Sequence, residues 1–473
     1  MALSSDAAGE FGIQNREEHV KGETMSTLLL ALAFQVWFPI FQDTVLESTG
    51  VTLINSSSDS AEFTIRMLSP DGQETRQFTL TVPRTGERFV GLDELLGGPS
   101  GTLSGSVRVE SSTSDFSAYL TTSGVTSVSA TEPVSRLSST VMLHHALVDK
   151  GFRELAETDT QVALVNPGSQ PASVVVTAIG TNGTIRGELP ISLPASGSRV
   201  VRVSQFVQSP FDGNVMVRGS SPMAAWQQVE TPLSRGIIAG RDAAAFHLST
   251  NLIVPFFVVG GNYASTISLT NTAQSPVTLE ISGNDKDGLV LGETATVKLE
   301  AGQTTTSDIA SLLRMVTVAS VPGPVITGSL RIRQPQKSFS YLLASVKVEG
   351  FDQQFAKQSS MLYWVQETPS QFWEIPFATK SELYFTALAI ANPSERSGAT
   401  AEVLVVVYAR DGRITEVISE SIPPLGSHTL MLAPPEPGAY LRILSSDPIA
   451  VLGTFGTRDG RSIETIAGRR LPK

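Results

Sequence analysis

The chain has 473 residues, 41% hydrophobic and 17% charged, which suits several globular domains and excludes a wholly disordered chain. Its formal net charge of −11, with no block of basic residues, argues against a nucleic-acid partner. Cysteine is absent, which excludes disulfides, thiolate catalysis and cysteine-ligated metals.

Residues 1–33 precede the first repeated pattern and are predicted to be a disordered leader. Residues 28–33 form a short apolar run with a small-residue ending, the general form of a weak secretory signal segment. The same run is equally consistent with a plain first strand, and both interpretations stay open. Because the apolar stretch up to Phe41 is short and interrupted by polar residues and proline, we predict no transmembrane span.

A frame of three residues recurs four times: an asparagine that ends one strand, a glycine that ends the next, and a second glycine that ends the third. The copies are Asn55/Gly72/Gly86, Asn166/Gly183/Gly197, Asn271/Gly288/Gly302 and Asn392/Gly412/Gly426. The first interval is 17 residues in three copies and 20 in the fourth, whereas the second is always 14. Successive asparagines lie 111, 105 and 121 residues apart, the length of a small β-sandwich.

Each copy is predicted to hold about seven short strands. An aromatic–proline segment such as Trp37–Phe41 opens three of the copies, and an alternating strand such as Val51–Ile54 precedes the asparagine. The Asp-Gly or Asn-Gly pair after the next strand indicates a hairpin, for which we predict a type I′ turn. Later strands have the form of Gly105–Val109 and Phe116–Tyr119.

The connections after the second glycine vary most between copies. They are residues 87–104, 198–212, 303–327 and 427–437. Two of them predict a helical turn, at Leu92–Leu96 and at Ser307–Leu313, with Asp308 as the cap of the second. Variable connections lie at the surface, so these are the places where a partner-specific contact is expected.

This order of openings, turns and strands resembles tandem immunoglobulin-like or fibronectin-like β-sandwich repeats of bacterial extracellular proteins, although the Cys…Trp…Cys hallmark of true immunoglobulin domains is missing. The resemblance covers nearly all of the chain after residue 34. It implies an all-β fold and export but no activity. We therefore predict four sandwiches of about seven strands, at 34–140, 141–249, 250–371 and 372–473.

Signals for catalysis or metal binding are weak. Adjacent residues on a strand point to opposite faces, so we interpret His144 and His145 as surface or half-buried polar residues rather than ligands. Asn284–Gly288 resembles a calcium loop, but Gly283 and Thr294 would stand at its first and twelfth positions, so a hairpin turn is favoured. Nucleophile-elbow and P-loop motifs are missing. We predict no enzyme activity, no metal and no cofactor.

Aromatic residues cluster at the junction of the third and fourth copies: Tyr363, Trp364, Phe372, Trp373 and Phe377. Such a cluster fills a core and a joint between modules, or it forms a platform on which a sugar or peptide stacks. We favour the core interpretation. For the second interpretation, Trp364 and Trp373 are the candidate ligand-binding residues.

The leading hypothesis is a non-enzymatic extracellular or cell-envelope protein of structural or adhesion type, which acts as a multi-module spacer or interaction scaffold. Four modules of about 30–40 Å in an extended array would reach about 130–150 Å. Expected partners are proteins or glycans at the cell surface, and edge strands could also pair with a second copy. The alternative is a carbohydrate- or peptide-binding protein that uses the aromatic junction or the variable loops; a β-sandwich hydrolase ranks third.

Overall fold

The computed structural model describes residues 34–39, 42–43, 47–91, 94, 103–124, 128–131, 133–134, 137–149, 158–231, 234–243, 251–315, 324–335, 341–351, 357–366, 368–378, 384–432, 439–457 and 463–471. These residues form antiparallel sheets, with one α-helical turn and one 3-10 turn at Val203–Gln205. The all-β prediction is therefore confirmed. The predicted leader, residues 1–33, lies outside the described residues.

The N-terminal part of the chain forms two four-stranded sheets, which we name pair one. Its strands are β1 (Phe34–Phe38), β2 (Gln42–Asp43), β3 (Glu47–Asn55), β4 (Ala61–Leu68), β5 (Glu74–Val82), β6 (Glu87–Gly91), β7 (Leu103–Ser104), β8 (Ser106–Ser111), β9 (Phe116–Gly124) and β10 (Val128–Thr131). The first sheet has the order β1-β8-β4-β5 and the second β10-β9-β3-β6, while β2 pairs only with β7. The chain thus crosses several times between the two sheets, as in a sandwich, while β4–β5 and β9–β10 are neighbours within one sheet.

Pair two repeats this order with one long strand shared by both sheets. Its strands are β11 (Ser138–Asp149), β12 (Thr158–Val165), β13 (Ala172–Gly180), β14 (Ile185–Leu193), β15 (Ser198–Arg202), β16 (Phe211–Thr231), β17 (Ser234–Ala239) and β18 (Arg241–Asp242). The first half of β16 lies between β11 and β13, and its second half lies between β12 and β17. The resulting orders are β11-β16-β13-β14 and β17-β16-β12-β15.

Pairs three and four follow the same plan. Pair three contains β19 (Asn251–Val259), β20 (Tyr263–Asn271), β21 (Val277–Asn284), β22 (Val290–Leu299), β23 (Thr304–Asp308), α1 (Ile309–Leu312), β24 (Ile326–Arg333), β25 (Leu342–Phe351) and β26 (Lys357–Trp364). Pair four contains β27 (Ser370–Ala378), β28 (Tyr384–Ala391), β29 (Ala401–Tyr408), β30 (Ile414–Ile422), β31 (Ser427–Leu432), β32 (Ala439–Thr457), β33 (Ile463–Ala467) and β34 (Arg469–Arg470). The orders are β19-β24-β21-β22 and β26-β25-β20-β23, then β27-β32-β29-β30 and β33-β32-β28-β31.

The frame asparagine ties three chain segments together in each pair. In pair two the Asn166 amide donates to the carbonyls of Gln170 (2.7 Å) and Pro194 (2.9 Å), and its oxygen accepts from the Gly168 backbone (3.0 Å). Asn55, Asn271 and Asn392 make the corresponding bonds. The predicted Asx-turn is thus present, and the same side chain also fixes the loop that begins 28 residues later.

The frame hairpins are present, but the predicted type I′ turn is wrong. The Gly72 backbone N–H donates to Ser69, Ser69 in turn donates to Gln73, and only the glycine has a positive φ, of 85°. The strands shift register by one residue at this point. This geometry is a type I turn followed by a glycine bulge, which needs one left-handed residue rather than two. The other three hairpins show the same bonds and the same positive φ at glycine.

The second frame glycine is not equivalent in all copies. In three copies the left-handed residue of this loop is a non-glycine: Thr85, Ser196 or Leu425, at φ 52°, 54° and 61°. In pair three the left-handed residue is Gly302, at φ 71°. The carbonyl that accepts from the backbone N–H of the frame asparagine belongs to a glycine in the other three copies and to Gln303 in pair three. The constant interval of 14 residues therefore conceals a one-residue offset in pair three.

The central strands of the second sheet of each pair are buried on both faces. The cross-strand neighbours Ala163 and Trp226 lie on the outer face of pair two, yet both are buried. Equivalent buried neighbours are Thr52 and Tyr119, Ser268 and Ser345, and Ala389 and Leu452. The adjacent pair covers this face, which explains continuous apolar runs such as Ala387–Ala391. The predicted alternation of buried and exposed residues therefore holds only in part for these strands.

Each hairpin glycine lies against the loop of the next pair. A Cβ added at Gly72 would stand 2.1 Å from the Ala195 carbonyl of pair two, and one at Gly288 would stand 2.2 Å from the Pro424 carbonyl of pair four. Such contacts leave no room for a side chain. The backbone of pair n thus packs directly on the backbone of pair n + 1.

The same contact joins pair four to pair one. A Cβ at Gly412 would stand 2.8 Å from the Thr85 carbonyl, and Gly183 of pair two lies in ordinary contact with Gly302 of pair three. The two ends of the array therefore meet. The pairs are thus not arranged as an extended array.

Candidate functional site

The joint between pair four and pair one is the candidate site, because it places charged side chains in the interior. Its backbone contact is the hydrogen bond from the Glu87 N–H to the Arg410 carbonyl, 3.0 Å long. The equivalent bond of the first joint runs from the Ser198 N–H to the Pro70 carbonyl, 2.9 Å long. A hairpin of one pair thus docks on a loop of another in the same way, whether or not the pairs are neighbours in sequence.

Glu374 on β27 is the centre of this joint. Its side chain is fully buried and faces the second sheet of pair one. The Ser56 hydroxyl lies 2.9 and 2.7 Å from the two carboxylate oxygens, and Ser117 donates to one of them at 2.8 Å. Arg442 donates its Nε–H to the same carboxylate at 3.3 Å. A buried carboxylate needs this number of donors to offset its lost hydration.

Arg442 itself lies beside two stacked aromatic rings. Its guanidinium lies 5.4 Å from the centre of the Tyr408 ring and 5.7 Å from that of Tyr440, and the two rings stack at 4.9 Å. The Tyr440 hydroxyl donates to the Thr85 carbonyl of pair one at 2.5 Å. Burial raises the pKa of Tyr440 far above its ordinary value, so it stays a neutral donor. These contacts orient the cation towards Glu374.

Glu87 on β6 is the second buried acid of the joint. Its side chain is buried, and neither carboxyl oxygen has a hydrogen-bond partner among the described residues. Burial raises the pKa of Glu87 well above its usual range, Glu374 raises it further, and Arg410 opposes the shift. Glu87 is therefore protonated in the folded chain at pH values where a free glutamate is ionised.

The joint between pairs two and three contains a buried histidine. His144 Nδ1 lies 2.9 Å from the Ser345 hydroxyl, and Nε2 lies 2.8 Å from the Thr270 hydroxyl. Burial, and to a lesser extent His145, holds the pKa of His144 well below its usual range, and burial lowers that of His145 to about 3. Both rings are buried, so the interpretation as surface or half-buried residues is wrong; the neighbouring pair covers this face of β11.

Trp364 and Trp373, the ligand-binding candidates from the sequence, lie apart in the structure. Trp373 is 3% exposed, and its indole N–H donates to the carbonyls of Ser370 and Ile449 inside pair four. Trp364 is partly buried in the joint between pairs two and three; its N–H donates to the Ala239 carbonyl, and its ring lies 4.7 Å from that of His144. The structure does not bring the two rings together as one platform.

The segment that resembles a calcium loop is the hairpin turn between β21 and β22. Asp285 accepts from the Asp287 and Leu289 backbones at 2.9 and 2.8 Å, so its carboxylate stabilises the turn. Within the described part of the chain, His, Asp and Glu nowhere gather in a group of three or more able to hold a metal ion. The helices of that same part include none with the length and hydropathy needed to cross a bilayer.

Of the residues of the charged joint, the sequence reasoning covered as a candidate only Glu87, the first residue of the variable connection 87–104. Glu374 follows Trp373 in a strand whose apolar neighbours indicate a core, and nothing near it shows which face another pair covers. Its donors Ser56 and Ser117 lie 318 and 257 positions away. The one available signal was a glutamate within the aromatic–proline opening of the fourth copy, where the first and third copies have apolar residues.

No protein-family model and no curated protein matches the chain. A crystal structure of Thermotoga maritima 1070 is 10% identical, with a TM-score of 0.20, and the alignment covers 22% of this chain and 94% of that one. Two structures of Bacteroides uniformis β-glucuronidase are 10% and 11% identical, with TM-scores of 0.11, and the alignments cover 54% of this chain and 26% of theirs. Likenesses this weak carry no argument about function.

Proposed function

We propose that the chain is a non-enzymatic interaction scaffold of the cell surface or the extracellular space, built from four immunoglobulin-like modules closed into a ring. The modules are those predicted from the sequence, residues 34–140, 141–249, 250–371 and 372–473. Each corresponds to one sheet pair, except that β11 begins at Ser138, three residues before the second module, and β27 at Ser370, two residues before the fourth. The observation that carries the proposal is the contact of pair four with pair one, because it joins the first and the last pair of the described residues.

The polar chemistry of the joints supports a structural role for them. The Glu374 carboxylate already binds Ser56, Ser117 and Arg442, and both ring nitrogens of His144 face hydroxyl groups. The Glu374 carboxylate and the His144 ring are saturated in this way, so they hold surfaces together and are not free to act as a base or nucleophile. A closed ring also acts as a compact platform rather than as a spacer, because its length does not grow with the number of modules.

The partner surface in this proposal is the outer edge of the first sheets. The terminal strands β5, β14, β22 and β30 each pair on one side only. Most residues of β5 and β14 are exposed, so backbone N–H and C=O groups there are open to another strand. An extended segment of a surface protein, added to such an edge, is the expected mode of binding.

The ring is tested with paired cysteines, since the chain has no cysteine of its own. Arg84 lies in the loop of pair one and Arg410 in the hairpin of pair four, and both are exposed. The double variant Arg84→Cys/Arg410→Cys, treated with a flexible bismaleimide at low protein concentration, is expected to give an internally linked monomer. Arg84→Cys/Arg186→Cys is the control, with the second cysteine on pair two. Equal linking of the two variants, or none in the first, contradicts the ring.

The location and the scaffold role need a separate test in the native host. Intact cells are labelled with a membrane-impermeant biotin reagent, and the mature protein is recovered for N-terminal sequencing and for identification of cross-linked neighbours. Labelled protein that begins near residue 34 and is linked to a surface partner is expected. Unlabelled protein that retains Met1 contradicts the proposed location.

A further inference from the structure

The joint between pair four and pair one differs from the other three in its connectivity. Pairs one and two, two and three, and three and four are consecutive in sequence, so their joints are held at a short distance by the chain itself. Ser117 and Glu374, which bond at 2.8 Å across the fourth joint, are 257 positions apart. Once the contacts of the fourth joint break, only the other three joints limit how far pairs one and four separate.

The fourth joint also differs in chemistry. The joint of pairs three and four contains an apolar cluster of Ile253, Ala391 and Ala450 beside an ion pair of Arg331 with half-exposed Glu395, and the joint of pairs one and two packs Phe38 edge-on against Trp226 at 5.6 Å. The fourth joint instead buries two carboxyl groups. Buried ionic contacts give less net stability than apolar packing of the same volume, because both partners lose their hydration.

From these observations we infer that the fourth joint is a clasp that opens reversibly, and that each half, once open, binds the complementary half of a second copy of this chain. The inference rests on the proposed ring. The two halves are different surfaces. One is formed by the hairpin and β27 of pair four, and the other by the second sheet of pair one. A contact between unlike surfaces closes a ring within one molecule or links molecules head to tail, depending on concentration.

The groups that face Glu87 across the joint give the clasp a trigger. Arg410 approaches from the hairpin, Glu374 from β27 and Tyr440 from β32. Ionisation of Glu87 would add a second buried anion beside Glu374, and its oxygens have no hydrogen-bond donor among the described residues. Alkaline pH therefore weakens the fourth joint selectively. The apolar cluster at the joint of pairs three and four, Ile253, Ala391 and Ala450, contains no ionisable group.

The experiment uses two full-length single variants, Arg84→Cys and Asp411→Cys, mixed in equal amounts; Asp411 is exposed in the same hairpin, so Arg410 stays in place beside Glu87. The mixture is held at alkaline pH, concentrated, returned to neutral pH and treated with the bismaleimide. A covalent heterodimer that increases at least several-fold over the mixture kept at neutral pH is expected. Adding Glu87→Gln to both variants is expected to abolish the increase, because a glutamine does not ionise.

Arg84→Cys mixed with Arg186→Cys provides the control for random collision, since residue 186 lies on pair two. Heterodimer at equal yield in this control, or no heterodimer after the alkaline cycle, overturns the clasp. Failure of the ring itself is recognised separately: the double variant Arg84→Cys/Arg410→Cys would then not link internally. An increase that persists with Glu87→Gln refutes the trigger and with it the proposed opening.

Discussion

Alanine at Gly288 tests the packing of hairpins on loops in the most direct way. Gly288 has a φ of 81°, and a Cβ there would stand 2.2 Å from the Pro424 carbonyl of the next pair. Gly398 has a φ of 82° and nothing within 4 Å of its added Cβ. The two glycines share the backbone conformation but differ in their surroundings, so they form a matched pair.

The magnitudes follow from these distances. An alanine in the left-handed region costs about 1–2 kcal/mol at either position. At Gly288 the methyl group must also move about 1 Å away from the carbonyl to reach ordinary van der Waals contact, and forced separations of this kind cost about 1–3 kcal/mol more. Gly288→Ala is therefore expected to destabilise the chain by about 1–3 kcal/mol more than Gly398→Ala does.

The assay is urea unfolding followed by tryptophan fluorescence, with the wild type and both variants at one protein concentration. Gly183→Ala serves as a third variant, because its Cβ would lie 3.7 Å from the Gly302 carbonyl, an ordinary contact. It should resemble Gly398→Ala although it lies at a joint. If Gly288→Ala and Gly398→Ala shift the unfolding midpoint equally, the hairpin does not pack on the next loop.

Trp226→Ala is expected to lower the free energy of unfolding by about 3–5 kcal/mol in urea, because it empties the joint of pairs one and two. Asn166→Ala should cost about 2–3 kcal/mol in the same assay, since its amide joins three segments through bonds worth about 1 kcal/mol each. The stability that neutral Glu87 provides is complete below the pKa of an unfolded glutamate, and it is lost as the pH rises towards the raised pKa of the folded chain. Glu87→Gln is expected to remove this loss from the pH profile of the free energy of unfolding. Neutral His144 has the opposite sign: its stability is present above the pKa of an unfolded histidine and is lost as pH falls, and His144→Gln should flatten the acid side.

These predictions have matched controls in the chain. Asn166→Asp keeps the oxygen that accepts from Gly168 but loses both amide donors, so it should fall between the wild type and Asn166→Ala. His428 is half-exposed and bonds Glu420 at 2.9 Å, so His428→Gln is the control for the same substitution away from the joints. A pH profile that Glu87→Gln does not alter would show that this carboxyl reaches water. A small effect of Trp226→Ala would show that the joint of pairs one and two is not tightly packed.

Features that depend on neighbours in sequence were predictable. The all-β fold, the positions of the hairpins and the Asx-turn follow from strand patterns and from residues that stabilise particular backbone angles. The helical turn predicted at Ser307–Leu313 is α1, and Asp308 caps it by accepting from the Ser311 backbone at 2.8 Å. The turn predicted at Leu92–Leu96 lies, apart from Glu94, outside the described residues.

Features that depend on distant segments were not predictable from one sequence. The type of hairpin turn depends on whether one or two residues adopt positive φ, and an Asp-Gly pair is compatible with both. The offset at Gly302 appears only when the backbone is followed to Gln303. The burial of His144 and Glu374 depends on which surface of another pair covers each strand, and no local pattern specifies that surface.

The contact of pair four with pair one also bears on how many repeats such a chain can have. A linear array needs atypical end units, whose outer faces are polar because nothing stacks on them. Here the sheets at both ends keep buried outer faces, including Tyr119 in pair one and Glu374 in pair four, since each end serves as the cap of the other. Duplication or loss of one repeat would leave two such faces in water. Copy number in this architecture is therefore limited by geometry, whereas a linear array lengthens one unit at a time.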